Sequence, residues 1–156
     1  MKSTTIAEEG HIVSILPPVD INGGAVESDY FGTQNADHVS IVLTLGVTGA
    51  ASTITLFESD DAAGTTETAI AFDYYAEETA AGDTLGARTA ATTSGFATST
   101  NDGIIYVIEV DAAQLTEGYP YLVLKLSNPA VATLASAVAV LSGNRYSGTD
   151  HPTAIV

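Results

Sequence analysis

The stretch Ile104–Ser127, IIYVIEVDAAQLTEGYPYLVLKLS, decides how this chain folds. Two apolar runs, Ile104–Val110 and Tyr121–Leu126, carry the β-branched and aromatic residues that suit a pleated, half-buried surface. Ile104, Val107, Ile108, Val110, Leu122, Val123, Leu124 and Leu126 give the stretch a high local density of large apolar side chains. These two strands are therefore expected at the centre of the core. Between them, Asp111 is a good helix N-cap and Gly118 a good stop, so Asp111–Glu117 predicts one or two helical turns across a sheet end.

Upstream, His38–Gly46 (HVSIVLTLG) alternates strictly. Val39, Ile41, Leu43 and Leu45 fall on one face, Ser40, Val42 and Thr44 on the other, which is the period of a strand. Ser52–Glu58 alternates again, and with Gly49–Ala51 between them the two segments read as an antiparallel hairpin. His11–Leu16 is β-like and is expected to end at Pro17-Pro18, because proline lacks the amide donor that a central strand needs. Asn22-Gly23-Gly24 and Asn101-Asp102-Gly103 are turn signals. Ala25–Phe31 reads as a short strand and Ala69–Tyr75 as a full one, with Ile70, Phe72 and Tyr74 on one side. Leu85–Thr93 reads as a weaker strand.

Downstream, Ala135–Leu141 (ASAVAVL) sets Val138 and Val140 against a small-residue face of Ala137 and Ala139 with Leu141. A helix over Ala130–Leu141 is the competing reading, since alanine is the best helix former. With about eight strands, one short helical turn near 111–117 and little helical periodicity, the expected fold is all-β, an antiparallel β-sandwich or jelly roll. One domain over residues 11–146 suits a chain of 156 residues. Residues 1–10 read as a flexible N-terminal arm and 147–156 as a C-terminal tail.

Charge narrows the function classes. Nineteen acids stand against four cations, Lys2, Arg88, Lys125 and Arg145, for a net charge of −15. Such a surface repels phosphate backbones and anionic membranes and favours a positive protein surface, so neither nucleic acid nor membrane is expected as a partner. Charged residues are only 15% of the chain, against roughly 25% in typical soluble domains. Without cysteine there is no disulfide framework and no thiolate metal site. The N-terminus lacks the apolar run of a signal peptide, and synthesis in the cytoplasm is the default expectation.

Chemistry is sparse. His11, His38 and His151 show no ligand spacing, and no G-x-S-x-G or phosphate-binding glycine loop occurs. Glu58–Asp83 holds eight acids and no base. Asp60-Asp61 and Glu77-Glu78 lack the alternating oxygen ligands of a calcium loop and read as a solvated rim. Paired acids could serve glycoside hydrolysis, yet no tryptophan is present to stack a sugar. No cofactor and no enzymatic activity are expected. Among seven tyrosines, Tyr106 and Tyr121 read as core residues with hydroxyls at the rim. Tyr74, Tyr75, Arg145 and Tyr146 are the candidate interface residues, because Tyr and Arg are favoured where proteins meet.

From Asn101 to Tyr146 the chain resembles small proteins encoded in the head-morphogenesis region of tailed bacteriophages. The matching pieces are DGIIYVIEVDAAQLTEGYPYLVLKLS, ASAVAVLSGNRY and the closing HPTAIV, with Asp73-Tyr74-Tyr75 upstream. The resemblance implies a virion structural protein, a capsid decoration or cement protein. It would sit on the outer capsid surface, bind the major capsid protein and form a homo-oligomer, with a trimer favoured. The alternative expectation is a carbohydrate- or host-surface-binding β module of a head fibre or tail, drawing on Tyr74, Tyr75 and the Thr92–Asn101 loop. If residues 1–10 are an arm that reaches a neighbour, deleting them leaves the melting temperature of the isolated protein unchanged and weakens assembly; a large drop in melting temperature would place them in the core.

Overall fold

A computed structural model describes residues 5–78, 82–144 and 152–155. Its strands, in chain order, are β1 (His11–Asp20), β2 (Val26–Glu27), β3 (Phe31–Gly32), β4 (His38–Thr48), β5 (Thr53–Ser59) and β6 (Glu67–Ile70). They continue as β7 (Phe72–Glu77), β8 (Thr89–Ala91), β9 (Phe96–Ala97), β10 (Ile104–Asp111), β11 (Tyr121–Leu126) and β12 (Thr133–Ser142). Two antiparallel sheets form a sandwich. One, the β4 sheet, runs β1-β12-β4-β10-β7-β8; the other, the β5 sheet, runs β2-β11-β5-β6, with β3 beside β11 and β9 beside β5. The all-β expectation holds, with twelve strands among the described residues where about eight were expected.

The opening stretch occupies the middle of both sheets. β10 lies between β4 and β7, and β11 lies between β5 and the β2 and β3 pair. Ile104, Tyr106, Ile108, Leu122, Leu124 and Leu126 have no solvent exposure. Fully burying each such side chain contributes roughly 1.5–3 kcal/mol. Ala112–Gln114 is the helical element between these strands, a single 3-10 turn in which Gln114 Oε1 accepts the Asp111 N–H at 2.8 Å.

β4 is the axis of its sheet. It pairs in register with β10 from Val39↔Val110 to Leu45↔Ile104 and with β12 from Leu141↔Val39 to Ala135↔Leu45. Val39, Ile41, Leu43 and Leu45 are buried, as their alternation predicts. β12 is a strand and not a helix, and its alanines explain themselves by register. Ala139 stands between Val13 and Ile41, and Ala137 between Leu16 and Leu43. Large, small and large side chains alternate across the inner face, which fills it without crowding.

Three expectations need correction. The predicted β4–β5 hairpin does not form, because β4 has both edges taken by β10 and β12, and β5 lies in the other sheet. The 49–52 connection instead arches across the sandwich end, where the Ser52 hydroxyl donates to the Ser127 carbonyl at 2.7 Å. The predicted strand Ala69–Tyr75 is split at Ala71, with β6 in one sheet and β7 in the other, while Phe72 stays buried and Ile70 and Tyr74 pack against the core on both sides of the switch. β1 does not stop at Pro17-Pro18 but runs to Asp20. It pairs only with β12, with register shifts on both sides of Leu16, so the prolines sit on an edge strand where missing donors cost no ladder bond. Within the expected N-terminal arm, Ile6–Glu9 form one exposed helical turn closed by the Gly10 N–H to the Ile6 carbonyl, 2.7 Å.

Gly95 carries φ +73°, and a Cβ there would run into the Ile54 carbonyl oxygen, so this turn between β8 and β9 admits only glycine.

The orientation of β12 is open to a direct check. Ala139→Leu, which points inward, is expected to cost about 1–3 kcal/mol by overpacking. Its neighbour Val138→Thr, which points outward, is expected to change stability by less than about 0.5 kcal/mol. Thermal unfolding of the two variants should separate them; equal effects would mean that the strand is turned the other way.

Candidate functional site

Each sheet has an outer face, and the two are finished differently. On the β5 sheet, Val123 alternates outward between the core residues Leu122 and Leu124, opposite Phe57, yet it is fully buried. A roof of side chains accounts for this. The Lys125 ammonium lies 4.7 Å from the centre of the Phe57 ring and pairs with Glu27 at 2.9 Å and Glu67 at 2.6 Å. Glu67 also accepts the Tyr30 hydroxyl. Burial is the largest influence and works against the charges of Lys125 and Glu67, but the hydrogen bonds and attractions among Lys125, Glu67, Glu27 and Tyr30 together outweigh it, so the Lys125 pKa moves up and the Glu67 pKa down. Burial, reinforced by the Glu67 carboxylate, pushes the Tyr30 hydroxyl up to about 12.

The outer face of the β4 sheet has no such roof among the described residues. Register assembles a row across five strands, Ser14–Val138–Val42–Val107–Tyr75. Four interstrand gaps of about 4.8 Å make this row about 19 Å wide. The flanking row on one side is Ile12–Val140–Ser40–Glu109–Asp73, and on the other Ser136–Thr44–Ile105–Glu77. Val42, Val107, Val138 and Val140 are half-buried, while Ile12 is 51% exposed, Ile105 37% and Leu134, further along β12, 46%. Grouped apolar side chains on an outer face are the kind of patch that interaction sites use.

Charges lie on one side of this face. Across the three rows every carboxylate sits on β10 or β7: Glu109, Asp73 and Glu77. The Arg88 guanidinium is committed to Asp73, with Nε 3.0 Å from Oδ2. At the end of β4, His38 is clamped between two acids of β10, with Nδ1 2.7 Å from Asp111 Oδ1 and Nε2 2.7 Å from Glu109 Oε2. The Ser40 hydroxyl donates to the same Glu109 oxygen at 2.6 Å. A neutral imidazole has one N–H and can donate only one of these bonds, whereas the imidazolium donates both. Partial burial pulls the His38 pKa down, but the bonds to Asp111 and Glu109 outweigh it and raise the value above 6.5.

The candidate residues divide. Tyr74 turns inward, its ring stacked on Phe96 at 3.9 Å and near Tyr106 at 6.3 Å, so it packs against the core. Tyr75 turns outward beside Val107. Arg145 and Tyr146 lie outside the described residues, as does His151. Tyr106 is fully buried, its hydroxyl donating to Glu78 at 3.0 Å and accepting the Ser99 N–H at 2.7 Å, as a core residue with a satisfied tip should. Tyr121 is half-buried on β11. The valine row was missed in the sequence because its members come from separate strands, and only register brings them together.

The acidic loops are spent locally. Asp61 accepts the Thr65 hydroxyl at 2.6 Å and the N–H groups of Ala63 and Thr65 at 3.0 Å each, bonds that hold its pKa below the usual carboxylate range. Asp60 accepts the Thr66 N–H at 3.1 Å. Buried Glu58 accepts the Thr116 N–H and hydroxyl at 2.8 and 2.5 Å, tying the 112–120 connection to the β5 sheet. Among the described residues no cluster of three or more histidines and carboxylates is arranged to hold a metal ion. No helix among them is long and apolar enough to cross a membrane. No protein-family model and no curated protein matches this chain.

The His38 clamp has a defined pH signature. With the folded pKa above the unfolded value near 6.5, its contribution to stability is full below about pH 6.5 and fades as pH rises through the folded pKa. The melting-temperature difference between the wild type and His38→Gln should therefore shrink from about pH 6 to about pH 8, and the His38 ring should titrate by NMR above 6.5. A midpoint at or below 6.5 would show that the clamp is not formed.

Proposed function

We propose that this chain is a non-enzymatic virion structural protein, a decoration or cement protein that binds the outer surface of a phage capsid and stabilises the shell. The observation that supports the reading best is the row Val138–Val42–Val107–Tyr75 on the β4 sheet, which no ion-paired side chain roofs among the described residues. The same chain closes its other sheet with a lysine clamped over a phenylalanine, so among the described residues the two outer faces are finished differently. A rigid sheet face loses little conformational entropy on docking, which suits a protein whose work is to spread many modest contacts over a repeated lattice. The partner in this reading is the major capsid protein. The resemblance of the C-terminal third to phage head proteins points the same way, and so does a net charge of −15, which favours a positive protein surface over nucleic acid.

Sedimentation decides the matter. Purified protein mixed with expanded, undecorated capsids is expected to pellet with them at micromolar concentration and to raise the temperature at which the shells open. No co-sedimentation and no shift would reject the proposal.

A further inference from the structure

We propose that Asn22 is a self-modification site, where the chain sheds a side-chain amide and becomes aspartate and isoaspartate with water as the only co-reactant. Asn22-Gly23-Gly24 is the exposed turn that carries the chain from β1 in one sheet to β2 in the other. The Gly23 main-chain nitrogen gives its proton to hydroxide and attacks Asn22 Cγ. An N–Cγ bond forms, the Cγ–Nδ2 bond breaks, and ammonia leaves with a proton drawn from water. Water then opens the resulting succinimide ring. Opening at the side-chain carbonyl leaves aspartate, and opening at the main-chain carbonyl leaves isoaspartate, in which the backbone runs through the former side chain. Either product adds a carboxylate beside Asp20, whose Oδ1 accepts the N–H groups of Asn22 and Thr133 at 3.0 and 3.1 Å.

The reaction needs an unhindered nitrogen on the following residue and a side chain free to meet it, and among the described residues Asn22 alone has both. Gly23 has no Cβ to block the attack, and nothing lies within 4 Å of where one would stand. Its N–H makes one contact of 3.4 Å to Asn128 Oδ1, longer than an ordinary hydrogen bond, and that oxygen is committed to the Ala130 N–H at 2.7 Å. The Asn22 amide itself has no hydrogen-bond partner among the described residues. The rival positions are blocked. Asp102-Gly103 suits the corresponding isomerisation by sequence, but Asp102 Oδ1 accepts the Thr48 N–H at 2.6 Å and the Gly103 N–H donates to the Gly46 carbonyl at 2.9 Å. Asn35 precedes Ala36, which has a Cβ and whose N–H donates to the Thr33 carbonyl at 3.0 Å. The Asn101 amide donates to the Glu78 carbonyl at 2.8 Å. Asn128 precedes Pro129, which has no N–H to lose.

Peptide mapping with enzymatic methylation of isoaspartate tests this on intact protein held in mildly alkaline buffer, beside a sample kept in urea. In the folded protein the peptide containing Asn22 is expected to lose ammonia and gain isoaspartate before any other, faster as pH rises. Isoaspartate at position 102 should form several-fold faster in urea than in the folded protein, because only unfolding frees Asp102 and Gly103, whereas the rate at position 22 should change little. Asn22→Ser and Asn22→Gln should each remove the acidic form that accumulates on ion exchange. An Asn22 that stays intact in the folded protein, conversion led by another asparagine or by Asp102, or an acidic form that persists in both variants would each overturn the proposal.

Discussion

The sandwich depends on β4 being paired on both sides in one register. Because side chains alternate with period two, a slip of one residue against β10 or β12 would turn Val39, Ile41, Leu43 and Leu45 outward and bring Ser40 and Thr44 into the core. The alanines of β12 reinforce that register, since each fits only between the large residues it faces, Val13 and Ile41 or Leu16 and Leu43. One constraint therefore sets both surfaces of the sheet. The inner face is close-packed, and the outer face receives whatever the alternate positions carry, here a run of valines.

Much of this was legible from local pattern. The inward sides of β4 and β5 follow from alternation alone, and the turns at Gly23 and Gly103 adopt the positive φ that their sequences predict. What local pattern could not supply was which strand lies in which sheet. His38–Gly46 and Ser52–Glu58 look like a hairpin, but the choice between a hairpin and an arch across the sandwich rests on competition from β10 and β12, which lie far away in sequence. For the same reason the split of Ala69–Tyr75 was invisible: Ile70, Phe72 and Tyr74 face the core whichever sheet their backbone joins. The site was less legible than the fold. Tyr74 and Tyr75 look equivalent in the sequence, and only the stacking of Tyr74 on Phe96 separates a core ring from a surface one.

Ionisable groups in this molecule work mainly as structural fasteners. Lys125 closes one sheet face, Asp61 shapes a turn, Glu58 anchors a connection and His38 joins the ends of β4 and β10. Each is held by a specific hydrogen bond, which is why the acidic segment Glu58–Asp83, conspicuous in composition, converges on no shared centre among the described residues. The excess negative charge that remains acts at a distance, as a field that sorts partners by sign.

Pro17 and Pro18 reach beyond β1 itself. Exposed sheet edges are where proteins most easily add strands from other chains, and this edge offers an interrupted row of donors, kinked by two shifts in register. The opposite edge, β8, is only three residues long. Growth in the plane of the β4 sheet is thus discouraged at both margins. A protein built this way can be crowded at high copy number with little tendency for its β4 sheets to fuse edge to edge.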